Sequence, residues 1–279
     1  MLAPRSQLQL QARDPNSGSL PGRLTVLASR FIARQSRSKM LPLNNAGPTV
    51  TFTFDDVPAS ACETGVRLLE RHGARGTFYV SGRDCGTASA GGEPHASIEQ
   101  LKSIWANGHE IGCHTYSHSA IRYISLDALD AELSNNRAVL QAIDSGIELR
   151  NFAYPYGDFS IRTKRHLEQR FDTCRSSHAG INSGTADLGS LHAWPLEDAT
   201  ITPGKISELI AETVLTSGWL IFFSHEVKEA PNRYGVSPTL LDWALRTAKD
   251  AGCALTGVAQ TLKAFKSAEF AALDGRTPQ

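Results

Sequence analysis

The chain lacks a long apolar run. Across its 279 residues, no stretch approaches the roughly 18 apolar side chains that a membrane-spanning helix needs. It also lacks a surplus of charge of either sign. Its 28 Lys and Arg balance 28 Asp and Glu, which argues against a dedicated nucleic-acid binder and leaves room only for a local basic patch. Cysteine is sparse. Cys62, Cys85, Cys113, Cys174 and Cys253 are odd in number and form no C-x-x-C pair, so neither a disulfide framework nor a cysteine zinc site is indicated. Residues 1–16 are polar and have no apolar core of the kind a secretory signal carries. These absences lead us to expect a reducing compartment and a cytoplasmic location. There is no repeat of fixed period.

What is present is the composition of a folded protein, 41% apolar and 20% charged, with a length that suits one large domain or two small ones. Residues 1–46 are rich in Gln, Ser, Arg and Pro and read as an N-terminal extension. Within it, Leu24–Ile32 has the look of a docked segment or short amphipathic helix, and the overall charge balance favours plain solvation for Arg23, Arg30 and Arg34. Residues 47–279 read as the main domain. Its texture alternates: strands at Thr49–Phe54, Thr77–Val80, Glu110–Cys113, Asn151–Ala153, Phe171–Arg175, Trp219–Phe223 and Cys253–Thr256 are separated by stretches with helical periodicity. Trp105 and Trp243 fall in helices and read as core. Alternating strands and helices imply a parallel sheet. About seven such units fit a closed or nearly closed (β/α) barrel.

In a parallel barrel the chemistry gathers at the C-terminal ends of the strands. Asp55-Asp56 follow the first predicted strand. His114-Thr-Tyr-Ser-His118 follow the third, Tyr154-Pro155-Tyr156-Gly157 the fourth, and Ser224-His225 the apolar run Trp219–Phe223. Histidines four apart can share one side of a helical turn and grip one metal ion. A carboxylate from a neighbouring strand end would complete a facial set with open positions. Imidazole and carboxylate suit zinc first, with cobalt, nickel, iron or manganese as alternatives. The other aspartate would serve as base toward water, and His225 as acid toward a leaving group. That set suits hydrolysis. Singly, each piece has a plainer account. Asp-Asp after a strand is often a turn or helix cap, and a lone histidine is more often structural. His109-Glu110 is followed at the fifth position by Cys113, so no H-E-x-x-H motif is present. It is the convergence at strand ends that singles out the set.

In this order, over roughly residues 48–256, these pieces resemble the polysaccharide deacetylase family, the NodB-homology or carbohydrate esterase family 4 group. The matching motifs are Thr53-Phe54-Asp55-Asp56, then His114-Thr115-Tyr116-Ser117-His118 preceded by Gly108-His109-Glu110-Ile111-Gly112, and the apolar strand ending in Ser224-His225-Glu226. The resemblance implies a deformed (β/α) barrel of about seven parallel strands and one divalent metal ion held by Asp56, His114 and His118. It implies Asp55 as general base, His225 as general acid, and the Tyr156 N–H as an oxyanion donor. Tyr154, Pro155 and Trp194 would border the substrate, an N-acetylated glycan. Nucleic acid is not expected as a partner.

Two departures stand out. Where the family commonly has Arg-Pro-Pro-Tyr, this chain has Ala153-Tyr154-Pro155-Tyr156, so the arginine that orients the catalytic aspartate is replaced by alanine. The motif that supports the acid histidine is represented only by Trp194 with Asp187 or Asp198. The alternatives left open are another amide (C–N) hydrolase on the same fold, a metal-bearing glycan-binding protein without catalysis, and a purely structural barrel.

Overall fold

The β-branched and aromatic run Thr49–Asp55 is buried at every position, as expected of a strand covered on both faces of a parallel sheet. The computed structural model describes residues 20–43, 46–88 and 93–273. In chain order the elements are α1 (Leu20–Gln35), β1 (Met40–Pro42), β2 (Thr49–Asp55), α2 (Val66–Arg71), β3 (Thr77–Val80), α3 (Ile98–Ala106), β4 (Glu110–Cys113), α4 (Leu126–Ile143) and β5 (Asn151–Ala153). There follow α5 (Ile161–Glu168), β6 (Thr173–Arg175), β7 (Thr185–Asp187), β8 (Trp194–Pro195), α6 (Pro203–Leu215), β9 (Trp219–Ser224), α7 (Pro238–Asp250), β10 (Ala254–Leu255) and α8 (Val258–Leu273). Hydroxyl residues start the helices. Ser97 and Ser160 form reciprocal capping boxes with Gln100 and Thr163, while Ser125, Thr202 and Ser237 each accept a first-turn N–H, satisfying donors that a helix start leaves open.

The main sheet runs in the order β6-β5-β4-β3-β2-β9-β8, and β10 pairs beside the start of β2. Its pairings are parallel throughout. The segment 188–196 spans the remaining gap. On one side the Leu191 N–H donates to Cys174 O and the Ser176 N–H to Leu191 O. On the other, the Leu196 N–H donates to Phe223 O. The ring therefore closes through a nearly irregular stretch, and the result is a deformed (β/α) barrel with all strand C-termini at one end.

Two features differ from the expectations drawn from sequence. Met40–Pro42 pairs antiparallel with Thr185–Asp187, a ladder only three residues long and therefore without a readable period. Trp243 is not core. It is 37% exposed, with the Arg246 guanidinium 5.1 Å from its ring centroid.

Residues 26–43 dock on the barrel through apolar contacts, with Leu41 and Leu43 buried in one cluster with Trp219 and Phe265, and through polar ones. Arg30 makes two hydrogen bonds to the Asp158 carboxylate, at 3.1 and 2.9 Å, and Arg122 Nε a third at 2.8 Å. The Lys164 ammonium is fully buried behind β1 and β7. It lies 2.5 Å from Asp187 Oδ2 and also donates to Ser36 O. Removing one partner of a buried pair strands the other, at a cost of about 3–5 kcal/mol. We therefore expect Lys164→Met to lower the urea midpoint by the equivalent of about 3 kcal/mol, whereas Lys205→Ala, which breaks an exposed pair with Glu208, should cost less than about 1 kcal/mol. Equal midpoints for the two variants would refute the role given to Lys164.

Candidate metal centre and active-site cavity

The strand ends open into a cavity of about 490 Å³, within the usual range for small-molecule sites. Asp55 is the last residue of β2 and is 6% exposed. Its Oδ2 accepts from Arg175 Nη2 at 2.5 Å, while its Oδ1 is buried without a hydrogen-bond partner among the described residues. Asp56 follows with a left-handed backbone, φ 55°, so the two adjacent carboxylates part company. One is turned into the barrel and the other toward the histidines.

Asp56 Oδ1 lies 3.8 Å from His114 Nε2 and 3.6 Å from His118 Nε2. The three ligand atoms lie within 4.8 Å of one another, the arrangement of a three-residue metal site. His114 Nδ1 is 2.8 Å from Ala153 O. A carbonyl only accepts, so Nδ1 carries the proton and Nε2 keeps its lone pair toward Asp56. His118 also adopts a positive φ, 52°, which brings the second histidine back over the first. Burial, reinforced by His114 and opposed by Asp56, pushes His118 down to about 4, so its ring is a neutral donor at pH 7. Burial alone would push Asp56 up, but His118, His114 and His225 outweigh it and hold the carboxyl below its ordinary range. Two nitrogens and one carboxylate oxygen, with no hydrogen bond joining Asp56 to either ring, fit a divalent ion of the zinc class.

His225 follows β9 on the opposite wall. Its Nε2 is 4.0 Å from Asp56 Oδ2, and its Nδ1 is 3.2 Å from Tyr234 O. Tyr156 has φ 59°, and its ring stands edge-on to His118 at 4.4 Å between centroids. The structure thus brings Asp55, Asp56, His114, His118, Tyr156 and His225 around one cavity. The other three residues expected at the substrate are placed differently. Tyr154 borders the cavity, but its phenol runs inward, stacks on Phe159 at 4.3 Å and donates to Gly189 O at 2.8 Å. Pro155 is buried in the turn. Trp194 is not among the residues that line the cavity. It packs against the core with the Lys205 ammonium 5.6 Å from its ring centroid. Neither acid considered beside it reaches His225: Asp187 binds Lys164, and Asp198 accepts from the Ser237 N–H.

Three residues that sequence reasoning passed over also line the cavity. Arg175 ends β6. Its guanidinium lies over the Tyr79 and Phe223 rings at 5.3 and 4.9 Å, and it supplies to Asp55 the cation that alanine at 153 does not. The strand-end rule that found Asp55 would have pointed to it. Glu197, 6% exposed, follows β8 by two residues. Burial raises its pKa while His225 pulls the other way, so a carboxyl does stand within electrostatic reach of that histidine. His95 comes from a loop with no motif to announce it, and its Nδ1 is 2.9 Å from Asp56 O.

With this geometry in hand, the chain can be set beside known proteins. The family model described as polysaccharide deacetylase matches residues 43–170, from just before β2 to just past α5. A chitin deacetylase of Colletotrichum lindemuthianum is 30% identical over 159 residues, 50% of this chain and 62% of that protein. One from Arthroderma benhamiae is 27% identical over 121 residues, 43% of this chain and 31% of that protein. The chain therefore spans between about a third and three fifths of the length of these relatives. A family 4 acetyl xylan esterase from Clostridium thermocellum, solved in complex with a cobalt ion, superposes with a TM-score of 0.53 at 19% identity, covering 82% of this chain and 93% of that one. At such identity the likeness speaks for the fold alone. The barrel and the strand-end motifs within residues 43–170 agree with the polysaccharide deacetylase model, which matches somewhat less than half of the chain.

Proposed function

We propose that the chain is a metal-dependent N-deacetylase acting on glycans that contain N-acetylglucosamine, of the exopolysaccharide or capsule type or their oligosaccharide precursors. The observation that carries this reading is the placement of a buried, half-satisfied carboxylate, Asp55, and a histidine, His225, on the same cavity as the Asp56–His114–His118 cluster. When bound by that cluster, a divalent ion supplies a Lewis acid for the acetamide carbonyl and makes a nearby water more acidic.

The chain's own groups do the rest. Asp55 Oδ1, with Oδ2 tied to Arg175, is the acceptor for the proton of the attacking water. The oxygen–carbon bond forms as that proton leaves, and negative charge develops on the former carbonyl oxygen. In this reading the Tyr156 N–H donates to that oxygen. His225, its Nδ1 proton held by Tyr234 O, delivers a proton from Nε2 to the departing nitrogen as the C–N bond breaks. Acetate and a free amino sugar result. Tyr156 and Tyr234 give the cavity aromatic walls of the kind on which sugar rings pack. The reading of a glycan-binding protein without catalysis leaned on the arginine missing at 153, and Arg175 removes that support.

Acetate release from N-acetylglucosamine oligomers tests the reading. Metal-stripped protein should be inactive and regain activity with zinc or cobalt. Asp55→Asn should lower kcat/KM by about 10³-fold or more while leaving metal affinity within a few-fold. Release that survives Asp55→Asn would overturn the base assignment. Release that ignores chelation would overturn metal dependence.

Arg175→Met tests positioning, with the urea midpoint recorded alongside because Asp55 loses its buried partner. We expect kcat to fall by about 10- to 100-fold with KM little changed, since the base is misplaced while the cavity walls remain. A change confined to KM would contradict that role.

Acid should also weaken the metal-free fold. His118 and His178 are both pushed down to about 4, chiefly by burial, below the ordinary value of about 6.5. Between those limits the unfolded chain binds protons that the folded chain refuses, so stability falls as pH drops from about 6.5 to about 4. Urea midpoints measured across that window, with His178→Gln as the comparison, should show a shallower fall in the variant. An unchanged slope would show that His178 contributes nothing.

A further inference from the structure

Helix α1 faces the barrel with its polar side. Ser29 Oγ accepts from Arg122 at 3.0 Å, Arg30 reaches Asp158, and among residues 26–35 only Ala33 is fully buried. Leu27, Phe31 and Ile32 point the other way, at 59%, 64% and 52% exposed. Ile32 shares a groove of about 500 Å³ with Tyr123 (itself 55% exposed), Arg122 and Arg162. At the C-terminal end of the helix a second cavity, of about 420 Å³, is lined by Arg34, Arg37, His178 and His192 together with Asp187, whose carboxylate is taken up by Lys164. An amphipathic helix that turns its apolar face to water needs an occupant for that face.

Charge says which one. From Pro15 to Phe54 the sequence holds no Asp or Glu, while Arg30, Arg34, Arg37 and Lys39 all fall within it. Among the described residues no acid pairs with Arg34 or Arg37. An exposed Leu/Phe/Ile stripe flanked by arginines is the chemistry of a helix that lies in a bilayer interface and favours anionic lipid. A second copy of the chain fits less well, because a two-fold contact over this patch would set the same arginines against each other.

We propose that this face is a peripheral docking surface for anionic phospholipid: Leu27, Phe31 and Ile32 enter the headgroup layer, and the cavity between Arg34, Arg37, His178 and His192 receives a lipid phosphate. Docking there sets the active-site rim beside the bilayer. Asp158, which anchors Arg30 and Arg122, stands two residues after Tyr156 in the same turn. A glycan carried on a membrane lipid would then reach the cavity without leaving the surface.

The test is sedimentation of the full chain with phosphatidylcholine vesicles prepared with and without phosphatidylglycerol. The readout is independent of catalysis, so it stands or falls apart from the deacetylase reading. Phosphatidylglycerol should raise the bound fraction about tenfold or more at low salt, with the gain shrinking as salt is added. Leu27→Asp with Phe31→Asp should abolish binding, and Arg34→Glu with Arg37→Glu should weaken it several-fold. Both pairs lie on exposed positions, so the melting temperature and acetate release from soluble oligomers should not change. Equal binding to both vesicle types, no binding to either, or binding that neither variant alters would overturn the proposal. So would light scattering that finds a dimer which Phe31→Asp dissociates, since the patch would then be a contact between copies.

Discussion

The site depends on one buried ion pair. Asp55 ends β2, Arg175 ends β6, and the sheet order places three strands between them. Their contact therefore crosses the mouth of the barrel. It does two things at once. It neutralises a carboxylate that is 6% exposed, and it occupies Oδ2 so that Oδ1 alone is left for chemistry. A guanidinium suits the task because it stays charged when buried and can lie against aromatic faces. Tyr79 and Phe223 supply two such faces, and Ser176 O accepts a further hydrogen bond at 3.3 Å. The aromatic contacts are worth about 0.5–2 kcal/mol each, whereas stranding one member of the pair costs about 3–5 kcal/mol. The ion pair, not the rings, fixes the geometry.

Around it the backbone is held in unusual shapes. Asp56, Thr115, His118 and Tyr156 all have positive φ, and such conformations cost on the order of 1–3 kcal/mol each for residues other than glycine. Neighbours tie down the first three. His95 Nδ1 binds the carbonyl of Asp56. Thr115 Oγ1 accepts from the Ser119 N–H, and Glu132 accepts from both the N–H and the hydroxyl of Ser117. The segment 115–119 is thereby clamped between strand end and α4, and both histidine rings converge on Asp56. The strain lies where the chain must turn a carboxylate or an imidazole against its natural direction.

How much of this could be read from sequence depends on the length over which a signal repeats. The strands β2 and β9 are long apolar runs, and the helices carry caps and a clear period, so the barrel and the order of its strand ends were legible. Asp55, Asp56, His114, His118 and His225 followed from that order. The ladder between β1 and β7 was not legible, because three residues carry no period and what holds it, Lys164 behind it and the apolar cluster around Leu41 and Ala186, is gathered from distant parts of the chain. The substitute for the missing arginine was hidden for another reason. Three intervening strands and many residues separate Arg175 from Asp55, and only closure of the ring brings them together. Trp194 misled because an indole near a matching acid suggests a groove wall, whereas packing against the core used its apolar surface instead.

The turn from Tyr154 to Asp158 joins the two halves of the molecule's behaviour. On its inner side Tyr156 stands against His118. Its root is fixed by the Tyr154 phenol in the core. On its outer side Asp158 collects Arg30 from α1 and Arg122 from the segment before α4, with the Asp158 carboxyl held below its ordinary range by those two arginines against the pull of burial. A carboxylate that stays ionised keeps both arginines engaged. The helix is thus tied to the wall that carries Tyr156, by charge-assisted hydrogen bonds that are stronger than neutral ones. Whatever rests on α1 rests within one turn of the cavity rim. The polar inner face of α1 follows from the same requirement, because a helix that must grip Asp158 with arginine has to place its large apolar residues elsewhere.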